Sequence, residues 1–309
     1  MNTRVPRVSI GMAIYNEEKY LRKALDSLLA QDFADFELII SDNASVDATQ
    51  EICREYAARD PRVRYHRNET NVGATENFNR AFRLSSGEYF MWAGGHDIWA
   101  PTYLSRCVEV LDSDDAVVLC NSATRHIGQD GEDLGVTVRQ IDTRNCSVLR
   151  RFNLVLWQVT AVLVYSLIRA SALRQTHLYQ RVFGPDCLLA LELSLLGPFA
   201  VVPQLLFFAR DNRGERTQLR SRANWKKPFL ERLYPGEKNP VGRFPYVRST
   251  FENLLMVKQA QLGYGLKVAL MASVIPAYFL KYFARLPLSV RRPLREFVLR
   301  QLSGIAGQW

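Results

Sequence analysis

Val8-Ser9-Ile10-Gly11-Met12-Ala13-Ile14-Tyr15-Asn16-Glu17-Glu18 is the stretch that decides the fold. Its first residues form a short, mainly apolar run, as expected of a strand buried on both faces, and the run stops at a polar cluster. Tyr20, Leu21, Ala24, Leu25, Leu28 and Leu29 then recur at helical spacing. The alternation repeats downstream. Phe36 to Ile40 predicts a second strand ending at Ser41-Asp42-Asn43, and Ser45 or Asp47 can cap a helix running to Ala58. Val63 to His66 predicts a third strand leading into the loop Asn68 to Gly73. A helix over Ala74 to Leu84 and a strand over Glu88 to Trp92 follow. Strands alternating with helices of this length predict βαβ units and a parallel sheet. Such sheets bind ligands at the carboxyl ends of their strands. The polar clusters Tyr15-Asn16-Glu17, Asp42-Asn43, Asn71-Val72-Gly73 and His96-Asp97 all fall at those ends.

The second half of the chain is less regular. A helix over Thr102 to Leu111 and a strand over Ala116 to Cys120 are expected. Gly128 to Gly135 is turn-rich and reads either as a join between two strands or as a mobile loop. Thr160 to Ile168 is rich in β-formers, Asp186 to Leu196 has helical spacing and stops at Gly197-Pro198, and Phe199 to Phe208 reads as a strand. From Ser249 onward the pattern is helical, with interruptions expected at Pro276 and Pro287.

With 309 residues, 48% hydrophobic and 23% charged, the chain has the composition of a globular enzyme and not of a disordered protein. The five cysteines are scattered and lack CxxC spacing, so they read as reduced thiols of a cytosolic protein. Met1 to Arg7 leads straight into the first strand with no apolar leader, which sets the expected location as the cytoplasm, at or near the inner face of the membrane. The net charge of +9 is concentrated towards the C-terminus. Val268 to Leu280 is an apolar run too short to span a bilayer, followed by arginines. Two readings stand: a peripheral contact with an anionic membrane, or a core-packing helix with a solvated basic face. No nucleic-acid-binding module accompanies the charge, so no nucleic-acid partner is expected.

The first strand and its polar end, together with Leu38-Ile39-Ile40-Ser41-Asp42-Asn43-Ala44-Ser45-Val46-Asp47, resemble the start of a family-2 glycosyltransferase. Asn71-Val72-Gly73, Ser86-Gly87-Glu88-Tyr89-Phe90 and Phe183-Gly184-Pro185-Asp186 continue the resemblance in order, over about residues 7 to 210. The resemblance implies a GT-A fold, a nucleotide-binding α/β/α sandwich with a mostly parallel central sheet, here as a domain over residues 1–209. A basic, mostly helical extension over 210–309 would follow it. It also implies inverting transfer of a sugar from a nucleotide-diphosphate donor to a saccharide or lipid-linked acceptor, in polysaccharide or glycolipid assembly. By the same resemblance Asp42 reads the base, and Ala13, Tyr15, Glu17, Asn71, Gly73 and Asp97 hold the nucleotide sugar. Asp186 is the general base, and Glu192 on the same helix is a support or surface residue. Asn71 to Gly73 can also simply cap a helix, and Asp186 can be an N-cap.

The metal corner departs from the family pattern. Its usual Asp-x-Asp falls on Gly94-Gly95-His96-Asp97, which makes His96 and Asp97 the metal candidates, with Mn²⁺ accepting imidazole more readily than Mg²⁺ does. Arg210-Asp211-Asn212 stands where many relatives carry a histidine near the diphosphate. Three readings remain open: a Mn²⁺ site at His96 and Asp97, metal-independent transfer assisted by Arg or Lys, and a non-catalytic nucleotide-sugar-binding or scaffold protein on the same fold.

Overall fold

The structure is a computed structural model and describes residues 5–138, 140–158, 161–211, 234–235 and 245–283. Two compact units divide the chain, Met1–Arg243 and Phe244–Trp309. The first is built on a nine-stranded sheet. Its opening half is the expected alternation of β1 (Val8–Ile14), α1 (Leu21–Leu29), β2 (Phe36–Asp42), α2 (Thr49–Arg59), β3 (Val63–Arg67), α3 (Ala74–Arg83) and β4 (Tyr89–Ala93). β1 pairs in parallel with both β2 and β4, and β2 with β3, which gives the order β3-β2-β1-β4. The chain reverses direction across the sheet between β1 and β4, so a crevice opens beyond the ends of these strands. β1, β2 and β4 are buried along nearly their whole length. Val8, Ile10, Met12, Leu38, Ile40 and Met91 are completely buried, each contributing about 1.5–3 kcal/mol.

The other half extends the sheet with mixed polarity. β8 (Leu167–Arg169) runs antiparallel to β4 and to β6 (Leu119–Ile127). β9 (Phe199–Arg210) runs parallel to β6 and carries the short β5 (Ile98–Trp99) at the far edge. β7 (Asp133–Val138) pairs with β6, so Gly128 to Glu132 joins two strands. The remaining α-helices among the described residues of this unit are α4 (Tyr103–Ser113), α5 (Val148–Gln158), α6 (Ala170–Leu173) and α7 (Pro185–Leu196).

Two expectations are corrected. Ala161–Tyr165, read as β-rich, forms a 3-10 turn ahead of β8. A short apolar run with β-branched residues reads alike for a strand and for a buried turn, and only the neighbouring packing separates them. In the second unit α8 (Pro245–Gln259) precedes α9 (Tyr264–Phe283), and α9 continues through Pro276. The missing N–H of Pro276 frees the carbonyl of Ala272, and both residues are exposed, so water can serve that carbonyl. Pro287 lies outside the described residues.

At the amino ends of the parallel strands Glu37 is a polar tie. It is buried, accepts Ser9 Oγ at 2.6 Å, Ser86 Oγ at 2.8 Å and Ser86 N at 3.0 Å, and pairs with Arg64 Nη1 at 2.5 Å. Burial alone would raise its carboxyl, but the hydrogen bonds from Ser9, Arg64 and Ser86 outweigh it and hold the group below the usual glutamate range. Its stabilisation is therefore full above the unfolded value of about 4.3 and is lost as pH falls through the lower folded value. Glu37→Gln is expected to lose about 1–3 kcal/mol at neutral pH, read from urea midpoints, and the gap to the parent should close in acid. A gap that persists undiminished at the lowest pH where the protein stays folded would count against the charged tie.

Candidate functional site

The crevice is built first by asparagines. Parallel strands that end together leave backbone groups beyond the ladder, and buried amides take them up. Asn77 on α3 donates to Ser41 O at 2.8 Å and Ile14 O at 3.4 Å, and accepts Ser41 Oγ at 2.7 Å and Asn68 Nδ2 at 3.1 Å. Its side chain is thereby saturated, and it pins the ends of β1 and β2 to the loop after β3. Asn43 accepts Asn68 Nδ2 at 3.0 Å and Val72 N at 2.9 Å, and donates to Asn71 Oδ1 at 2.7 Å. Asn71 Oδ1 also accepts Gly73 N at 2.9 Å. Gly73 sits at φ 84°, ψ 158°, a conformation that favours glycine and turns the chain into α3.

The loops after β1 and β2 are laced together. Asn16 N donates to Ser45 Oγ at 2.9 Å, Val46 N to Asn16 Oδ1 at 2.9 Å, and Glu17 N to Thr49 Oγ1 at 2.8 Å. Asn16 and Ala44 hold positive φ to make this possible. The result leaves Ala13 half-buried at the β1 end and Tyr15 exposed beside it, an aromatic wall at the rim. Asp42 is fully buried, with Oδ1 accepting Ser45 N at 2.9 Å and Oδ2 accepting Tyr65 OH at 2.7 Å and Arg67 Nη1 at 2.8 Å. Both of its oxygens serve the protein, so a base edge would have to share or displace one of these donors. Asn71 likewise turns its oxygen inward.

At the end of β4 the sequence opens into Gly94-Gly95-His96-Asp97. His96 Nδ1 lies 3.2 Å from both oxygens of Glu17, and its Nε2 lies 4.0 Å from Asp97 Oδ1. Asp97 is buried, and Oδ1 accepts the Arg210 backbone N–H at 2.8 Å. Burial pushes its carboxyl above the usual range, against the pull of His96 and the Arg210 N–H. The Arg210 guanidinium donates to the carbonyls of His96, Gly128 and Gln129, each at 2.8 Å, and lies 4.6 Å over the Tyr20 ring. Lys19 Nζ lies 4.8 Å from the same ring and reaches Gln129 Oε1 at 3.3 Å. A Cβ on Gly94 would meet Asp97 Oδ2 at 2.7 Å, and one on Gly95 would meet Glu17 Cγ at 3.0 Å. The glycines therefore give Asp97 and Glu17 their places.

This arrangement does not fit a divalent cation as it stands. The imidazole occupies the space between the two carboxylates, and one Asp97 oxygen is already committed. Among the described residues no group of three or more His, Cys, Asp or Glu side chains is arranged to hold a metal ion.

Asp186 lies in the first turn of α7, after Gly184 in the left-handed conformation at φ 78°. It is half-buried, and desolvation raises its carboxyl above the usual range although the Cys187 N–H opposes this. The loop leading to it is held from two sides. Asn79 on α3 exchanges both hydrogen bonds with the Tyr179 backbone, at 2.9 and 3.0 Å. Glu192, buried on α7, accepts His177 N at 3.1 Å and lies 2.5 Å from His177 Nδ1. The Tyr179 ring stands edge-on to Trp92 at 5.2 Å, which connects this loop to the β4 end. The sequence had singled out none of Asn77, Asn79, Tyr65 or Arg67. Asn77 and Asn79 carry a readable signal, since polar amides recur on the buried face of α3.

The model of the family described as Glycosyl transferase family 2 matches residues 9–176. Over 128 residues the chain is 41% identical to the Mycobacterium tuberculosis protein Rv1520, covering 40% of this chain and only 37% of that relative's length. Among solved structures, S. aureus TarS residues 1–349 in complex with UDP-GlcNAc superposes with a TM-score of 0.67 at 18% identity, over 92% of this chain and 77% of that one. The Pyrobaculum calidifontis mannosyltransferase PcManGT, in complex with GDP-Man and Mn²⁺, superposes at 0.52 with 17% identity, over 97% and 81%. At these identities the two structures show that the fold is shared.

Gly94→Ala is expected to expel the Asp97 carboxylate from its seat under the Arg210 N–H and cost about 1–3 kcal/mol, seen as a melting temperature several degrees lower. Gly265→Ala, where an added Cβ meets nothing within 4 Å, is the control and should not lower it. Equal melting temperatures for the two variants would mean that Asp97 gives way freely.

Proposed function

This chain belongs to glycosyl transferase family 2, and on that premise we propose that it moves a sugar from a nucleotide-diphosphate donor to a hydroxyl of a saccharide or lipid-linked acceptor, with inversion. The observation that carries the reading is Asp186: a desolvated carboxylate at the start of α7, on a loop packed through Tyr179 against the β4 strand whose end turns into His96-Asp97. A general base must be ionised yet basic enough to take a proton from an attacking hydroxyl, and desolvation moves a carboxylate in that direction. Tyr15 offers a face for the base, and the backbone around Asn71 to Gly73 borders the nucleotide, with Asp42 setting the shape of that border. Ala13 and Glu17 line the approach to the diphosphate.

The departing diphosphate needs positive charge. The expected Mn²⁺ or Mg²⁺ at His96 and Asp97 would require the imidazole to leave its place between Glu17 and Asp97, so no step is derived through it. Among the described residues, Lys19 and Arg210, gathered on the Tyr20 ring, supply positive charge at this corner. A lipid-linked acceptor would put the chain at the cytoplasmic face of a membrane, in polysaccharide or glycolipid assembly. A second reading, a nucleotide-sugar-binding protein without transfer, draws on Gly94 and Gly95 standing where acids are usual and on Asp97 being turned inward.

Asp186→Asn is the decisive variant. Transfer should fall by about 10²–10⁴-fold while calorimetric binding of a UDP- or GDP-sugar persists. In the parent, activity should drop on acidification at a pH above the usual aspartate value of about 3.9, because only the ionised carboxylate accepts the proton. Undiminished turnover in the variant removes Asp186 from the role. Donor binding with no transfer in the parent, with Mn²⁺, with Mg²⁺ or with chelator, selects the second reading.

A further inference from the structure

The described residues of the second unit present an apolar face that α8 and α9 leave exposed. α8 and α9 pack together, with Met256 and Val257 of α8 and Leu270, Val274 and Ala277 of α9 buried. Asn253 Nδ2 meets Tyr278 OH at 2.8 Å, and Lys267 Nζ donates to Lys258 O at 2.8 Å, closing the pair at its connection. The opposite side of α9 is also apolar. Tyr264, Val268, Ala272 and Ile275 follow each other at helical spacing and share a sector about 80° wide, on the side away from Leu270, Val274 and Ala277. Tyr264 is 85% exposed, Val268 48% and Ile275 57%, and Phe279 at 54% extends the stripe towards the end of the helix. A helix that is apolar all round is normally buried on every side.

Charge identifies what covers this face. Between Asn253 and Arg295 the sequence has seven Lys and Arg and no Asp or Glu. A second copy of the chain would bring two such segments together, like charge against like, whereas an anionic phospholipid surface complements them. No helix of the described residues is long and apolar enough to cross a membrane. We propose that the outer face of α9 docks in the interfacial layer of an anionic bilayer, with Tyr264, Val268 and Ile275 entering the headgroup–acyl boundary and the net positive charge of this stretch of sequence drawing it to an anionic surface. The helix lies in the plane of the membrane, and α8 forms the side turned away from it.

The test is sedimentation of the full chain with phosphatidylcholine vesicles and with vesicles containing phosphatidylglycerol. The parent should partition onto the anionic vesicles, weakly onto the neutral ones, and be released as salt rises. The charge-neutral double variant Val268→Gln/Ile275→Gln should bind about tenfold less at unchanged helix content, because it removes apolar contact and leaves the basic residues in place. If that variant loses helix content, Tyr264→Gln at the first position of α9 carries the same comparison. Three results overturn the proposal: no binding of the parent to anionic vesicles, binding unaffected by the folded variants, or a dimer in solution that the variants dissociate while vesicles capture nothing. No sugar donor enters the assay, so its outcome is independent of the transfer reaction.

Discussion

The structure depends on how three parallel strands are allowed to end. β1, β2 and β3 finish at one edge, and each leaves backbone carbonyls and amides that the ladder no longer serves. Water could take them only if the edge were open, and it is not: Asn43, Asn68 and Asn77 are nearly or fully buried. The amides of Asn43 and Asn77 donate and accept at once, and Asn68 Nδ2 donates to the oxygens of both, which joins the three into one network. Because Asn77 sits on α3, the same bonds fix that helix under the sheet and determine where Asn71 and Gly73 emerge. An unpaired amide here would leave a buried polar group unsatisfied, at a cost comparable to a whole hydrogen bond. The crevice is thus a by-product of ending the strands correctly.

Arg210 plays the corresponding part on the other side. It lies at the end of β9, and three carbonyls from two separate turns converge on its guanidinium. A side chain with five fixed donors suits that task, and a lysine would not span it. Its backbone N–H meanwhile holds Asp97. One residue therefore couples the β6–β7 turn to the His96 turn, which is why the length of β9 and the geometry of the site are a single problem.

Much of this was legible in the chain. The alternation from Val8 to Trp92 gave the parallel half of the sheet strand by strand, because buried parallel strands are short continuous apolar runs between amphipathic helices. What stayed hidden has a common cause. The direction of β6, β8 and β9, the helix over Val148–Gln158 and the turn at Ala161–Tyr165 are set by long-range pairing, and local pattern does not encode it. Asp42 shows the same limit at the level of a side chain. Its position at a strand end was readable, but Tyr65 and Arg67 claiming its oxygens required knowing that β3 lies beside β2.

The glycines at 94 and 95 make the corner beyond β4 intelligible as one packing arrangement. A carboxylate cannot occupy position 94 while Asp97 keeps its seat, because the first atom of any side chain there meets Asp97 Oδ2. With Asp97 drawn inward beneath the Arg210 N–H, the imidazole of His96 comes to lie between it and Glu17, and a ring that is cationic when protonated can sit where two acids would otherwise repel. The glycine at 94, the inward-turned Asp97 and the histidine at 96 fit one another as a single packing arrangement. Placing an acid at 94 would therefore not by itself build a cation cage: it would first have to undo the contact between the turn after β4 and β9.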